Sequence, residues 1–142
     1  MNARDDAPYS DGVALPQHGS RRIRRGGRRH HDFYRGNLLA ADGRLVALVD
    51  WDEAFVGPPE VGLANGAWEW GGGLWADDLD RVFTFVNLYV AAGGTAPGLT
   101  EVELRQLVRA RLRWEVRYSR LRNPDEDYEA RQLLVYERLR VR

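Results

Sequence analysis

His30-His31-Asp32-Phe33-Tyr34-Arg35-Gly36-Asn37, read with Asp50-Trp51-Asp52 a short hairpin later, is the stretch on which the fold turns. The spacing is H-x-D-x-x-x-x-N, then an apolar run, then an acid. Phosphoryl transfer from ATP needs such a set. One carboxylate must accept and aim the attacking hydroxyl, while an amide and a second carboxylate hold Mg²⁺ against the phosphates. Asp32 is therefore the candidate catalytic base. Asn37 and Asp50 are the candidate Mg²⁺ and nucleotide ligands, because Mg²⁺ favours hard oxygen donors. Asp52 is a further metal ligand or a substrate contact. His30 is expected to buttress the loop and His31 to face solvent. Any one of these residues alone would read as a turn former; the three in register carry the chemistry.

Outward from this stretch, the Asn37–Ala40 and Leu45–Val49 segments flank Ala41-Asp42-Gly43-Arg44. Asp-Gly between apolar runs is a strong hairpin signal, since both residues tolerate positive φ. The two ends of a hairpin lie side by side, so Asn37 and Asp50 can face one site. The remainder reads as four helices. Gly57-Pro58-Pro59 opens the first at about Glu60, and Gly71-Gly72-Gly73 stops it after Trp70. A second fits Ala76 to Ala92, with Asp77, Asp78 and Asp80 at its positive end. Thr100-Glu101-Val102-Glu103 has the form of a capping box for a third, which ends before Asn123-Pro124. The last runs from about Asp125 to Leu139. One hairpin and about four helices make a mainly helical α+β fold.

Within its 142 residues the chain has room for one domain with a real core. With no cysteine, disulfides and thiolate metal sites are excluded. No apolar run reaches the ~18 residues of a membrane span, and the N-terminus has no signal-peptide core, so a cytoplasmic location is expected. The zero net charge hides an asymmetry. Arg21, Arg22, Arg24, Arg25, Arg28 and Arg29 form a run without an acid, which leaves 15 arginines against 21 acids elsewhere. Every basic residue is arginine; there is no lysine. Residues 1–29 show neither helical nor strand periodicity and read as an Arg/Gly-rich tail, with the folded part at 30–142.

The motif set resembles a known family. His30 to Asn37, Leu38-Leu39, the Asp42-Gly43 turn, Leu48-Val49-Asp50-Trp51-Asp52-Glu53-Ala54 and Gly57-Pro58-Pro59-Glu60-Val61-Gly62-Leu63-Ala64 look like the catalytic loop, metal-binding segment and following motif of the aminoglycoside phosphotransferase family. That family includes choline-kinase-like and homoserine-kinase-like enzymes. The resemblance implies the C-terminal lobe of a protein-kinase-like fold over residues 30–142. It implies an ATP-dependent small-molecule hydroxyl kinase with Mg²⁺ and ATP. The family's N-terminal lobe and its phosphate-gripping lysine have no counterpart here, so a truncated or mis-started reading frame is expected.

Some features stand outside that set. Trp68 and Glu69, with Glu53 and Glu60, could form an acidic, aromatic acceptor pocket suited to a cationic substrate. The plainer reading of Trp51, Trp68, Trp70, Trp75 and Trp114 is core packing. Arg105, Arg109, Arg113, Arg117 and Arg120 read as a solvated helix face. The basic run could meet nucleic acid, but no aromatic residue lies between Asp11 and His31 to stack bases, and a solvated tail is the simpler reading. A rival to the enzyme reading is a non-catalytic kinase-lobe remnant. It would bind substrate or partners, or self-associate through the hairpin side, which a missing lobe would leave apolar.

Overall fold

In the computed structural model, residues 27–76, 79–122 and 124–140 are described. Strands β1 (Gly27–Arg29), β2 (Leu38–Ala41), β3 (Arg44–Leu48) and β4 (Phe55–Gly57) precede helices α1 (Pro59–Trp70), α2 (Asp80–Ala91), α3 (Glu101–Arg122) and α4 (Glu126–Arg138). The protein is mainly helical, with two small antiparallel sheets of two strands each. Among the described residues no helix is long and apolar enough to cross a membrane.

The helices hold the core. Leu63, Ala64, Ala67 and Trp68 of α1 meet Val82 and Val86 of α2, Leu104, Val108 and Leu112 of α3, and Val135 of α4. On α3 the buried positions recur every four residues, which brings one stripe of a 3.6-residue helix inward. The ends of α3 and α4 follow sequence signals. Thr100 and Glu103 exchange hydrogen bonds as a capping box: the Thr100 N–H donates to Glu103 Oε2 at 2.9 Å, and the Glu103 N–H donates to Thr100 Oγ1 at 3.3 Å. Asp125 caps α4 by accepting from the Tyr128 N–H. At the α1 exit Gly71 is required, because a Cβ there would stand 2.4 Å from Val82 Cγ2.

Several expectations are corrected. Gly27–Arg29, assigned to the tail, form β1 and pair with β4 in the register Gly27↔Gly57, Arg28↔Val56, Arg29↔Phe55. A backbone ladder does not need apolar side chains, so a basic segment can supply a strand. Helix α2 begins at Asp80, not Ala76, because Gly73–Trp75 form a separate 3₁₀ turn. Trp51 and Trp75 are exposed rather than core residues. The helical arginines are not one solvated face: Arg105 pairs with Glu101, Arg120 pairs with Glu129, and Arg109 lies over the Tyr136 ring at 4.1 Å. The arginines at 21–25 and the acids Asp77 and Asp78 lie outside the described residues.

Candidate active site

The predicted hairpin is β2–β3. Its turn uses Asp42 at φ 50° and Gly43 at φ 73°, the double positive φ that Asp-Gly favours. Leu38 faces Leu48, and a bulge follows Leu39. The Val49 N–H donates to the Asn37 carbonyl at 2.9 Å, so the two strand ends are joined next to the polar residues. Asp50 then takes φ 63°, a left-handed conformation that Asp and Asn adopt more readily than other side chains. This bend follows the end of β3 by two residues and turns the chain away from the strand direction.

Asn37 is buried, and its amide Nδ2 donates twice to Asp32: to the carbonyl at 2.9 Å and to Oδ2 at 3.1 Å. The loop is thus tied back on itself, and the Asp32 carboxylate is oriented by a neutral donor. With Nδ2 spent on Asp32, Oδ1 is the atom of Asn37 suited to a metal. His30 is buried, and its Nε2 donates to the Val49 carbonyl at 2.7 Å. It also packs edge-on to Trp51 at 4.8 Å. The two contacts lock the start of the loop to the residues on either side of Asp50.

The acids of the two segments act on one another electrostatically. The Asp50 carboxyl is held above its usual range by a hydrogen bond with Asp52 and the repulsion of its charge, and further by Asp32 and Glu53. Among the described residues no arginine forms an ion pair with Asp32, Asp50 or Asp52. No three His, Cys, Asp or Glu side chains among them stand at metal-holding distances. Mg²⁺ commonly uses only one or two protein carboxylates and completes its shell with phosphates and water. The carboxylates of Asp50 and Asp52 and the amide oxygen of Asn37 are hard oxygen donors of the kind Mg²⁺ takes, and a cation near Asp50 would relieve the repulsion that raises it.

Two readings of single residues change. His31 does not face solvent; its side chain is 15% exposed, edge-on to Phe55 and Trp114, with Nδ1 3.6 Å from Glu53. Burial, and then the Arg111 charge, hold its pKa below the ordinary value, against the pull of Glu53. Trp68 is 2% exposed and belongs to the core, so it cannot line an acceptor pocket. Helix periodicity explains why: Trp68 shares the buried face with Ala64. Glu60 and Glu69 sit in the first and last turns of α1, about 13 Å apart along its axis. Glu69 is ion-paired with Arg111, and Glu53 lies beside His31.

The reading from sequence also missed how the loop is seated. Phe33 packs on α1 where Gly66 leaves room, 3.1 Å from where a Cβ would stand, and lies 6.0 Å from Trp70. Trp70 in turn stacks on Phe85 and carries the Arg35 guanidinium on its ring at 5.3 Å. Beneath, Arg111 ion-pairs with both Glu69 and Glu115. Burial opposes the Arg111 charge, but Glu115 and Glu69 outweigh it and hold its pKa above the ordinary value. Glu69 is raised by burial, which its share of Arg111 only partly offsets. Gly66 within α1 and Glu69 between Trp68 and Trp70 are the sequence signals that could have pointed to this frame.

No curated protein and no solved structure matches the chain. A family model does, over residues 14–94, which is more than half of the sequence and includes the catalytic-loop candidates, the hairpin, α1 and α2. The loop, the hairpin and the acid at its exit thus fall within one matched segment, and the chain belongs to the Phosphotransferase enzyme family.

Proposed function

We propose that the protein transfers the γ-phosphoryl group of ATP to a hydroxyl of a small molecule, on a scaffold equivalent to the C-terminal lobe of a protein-kinase-like fold. The observation that carries this reading is the Asn37–Asp32 clasp beside Asp50, with the hairpin joining the two. In the reaction the acceptor hydroxyl donates a hydrogen bond to Asp32. Its oxygen attacks the γ-phosphorus, the bond to the ADP oxygen breaks, and the hydroxyl proton passes to Asp32. His30 keeps the loop against Val49, and Asn37 keeps Asp32 aimed. Asp50 and the Asn37 amide oxygen, with Asp52, would hold Mg²⁺. That ion would neutralise charge on the β- and γ-phosphates. Glu53, exposed beside His31, is the acid open to an amino group of a cationic acceptor.

A second reading has its own support. Leu39, Leu45, Val46 and Val56 are exposed around the two small sheets, as a binding remnant that self-associates on that side would require. A thermal melt with and without Mg²⁺·ATP separates the two. Binding to the folded state at a hundredfold excess over Kd contributes about 2.7 kcal/mol and raises the midpoint. The rise disappears in Asp50→Asn, which keeps a residue tolerant of positive φ. Asp32→Asn keeps the rise and lowers phosphotransfer by about 100- to 10,000-fold. A cooperative melt that Mg²⁺·ATP does not move, with a dimer in solution, would establish the remnant instead.

A further inference from the structure

Arg111 lies in the middle of α3, and its side chain is 11% exposed. It ion-pairs with Glu69 in the last turn of α1 and with Glu115 one turn further along α3. Its Nη1 donates to the Asn65 carbonyl of α1 at 3.3 Å. From α4, the Gln132 amide donates to the second Glu115 oxygen at 3.2 Å. The guanidinium thus ties α1 to α3 by bonds in several directions, which its planar fork allows and an ammonium does not, and Glu115 extends the network to α4 through Gln132.

The two residues on either side of Asp32 both rest on this frame. Phe33 sits against Gly66 and Trp70, the immediate neighbours of Asn65 and Glu69 that Arg111 holds. His31 packs edge-on to Trp114, one residue before Glu115, at 5.6 Å. The groups also sense one another electrostatically: Arg111 and Glu115 act on His31, and Asp32 acts on Glu69. A change in how α1 and α3 are tied must therefore reach the loop from both sides of Asp32.

We infer that Arg111 is a positioning residue: by fixing the end of α1 to α3, it sets where Asp32 stands. The inference rests on the reading of Asp32 as the base. It places the control of the catalytic loop in α3, beyond the segment that the family match covers. The buried charge balance favours an arginine at this place, since two carboxylates share it and removal would leave both unpaired.

The test uses the full chain. Arg111→Lys keeps a charge but not the fork, and Arg111→Met with Glu69→Gln removes the pair together. Leu112→Ala is the control, a buried neighbour on the same helix outside the network. The His31 ring signals in NMR, assigned through His31→Gln, report the seat of the loop, because Trp114 and Phe55 shift them by ring currents. Both Arg111 variants are expected to move these signals and to lower kcat by about 100-fold, with KM for ATP little changed. Leu112→Ala lowers the melting midpoint without moving them. Unmoved His31 signals in Arg111→Lys would overturn the inference, as would an equal displacement in Leu112→Ala. Those signals need no turnover, so a wild-type chain inert toward Mg²⁺·ATP would refute the phosphotransfer reading separately.

Discussion

Between Gly27 and Gly57 most strand side chains meet solvent, whereas the helices from Pro59 to Arg138 close around Trp68, Leu104, Leu112 and Val135. The first region carries every residue assigned to the chemistry and has almost no core of its own. Isolated two-stranded hairpins are marginal in water. This one is held by seats on its surroundings: His30 on Val49, Phe33 on Gly66 and Trp70, and His31 on Trp114. The second region supplies the seats of Phe33 and His31, while the His30–Val49 bond closes the first region on itself. The contrast shows how a small set of acids can be held in mutual repulsion: the helical body bears the conformational order, and the loop is free to carry charge.

The contrast can be broken most severely at Trp68. Trp68→Ala opens a cavity in the helical body and is expected to cost about 3–5 kcal/mol. That is a large part of the stability of a domain this size. Chemical denaturation should show a lost or strongly lowered midpoint.

A smaller effect tests the seam between the regions. His31 is held neutral by burial, while in the unfolded chain it titrates near 6.5. The unfolded chain thus binds more protons below that pH, and stability falls as pH drops through 6.5 toward the depressed folded value. His31→Gln should remove that part of the acid slope in melts recorded across the window. A slope unchanged by the substitution would mean that the ring titrates alike in both states.

The smallest effect is expected on the exposed hairpin. Val46 is 63% exposed, and Val46→Thr keeps the β-branch, so the midpoint should move by no more than about 0.5 kcal/mol. A large loss there would mean that this face is covered in solution. Analytical ultracentrifugation would then identify a second copy as the cover.

Local signals were legible wherever they act within a few residues. Asp42-Gly43, the Thr100–Glu103 box and the Asp125 cap work through nearby backbone groups, and each appears where the pattern placed it, while α1 ends where the glycines at 71–73 begin. The start of α2 was misplaced because a 3₁₀ turn and a helix offer similar local patterns between glycines. Trp68 leaves the acceptor pocket for a different reason: it lies in the core. Nearness in sequence on a helix does not decide which face is buried or which end meets the loop.

The sequence by itself determined the family, the mainly helical α+β character and the spacing of Asp32, Asn37 and Asp50, because those depend on residue order and on short-range backbone preferences. Only the tertiary structure decided that Trp68 is core, that His31 is enclosed and that Arg111 stands behind the loop. The reason is that burial and ion pairing depend on which helices meet. The partners of Arg111 on α1 are 42 and 46 residues away in the chain, a separation over which no local pattern carries information.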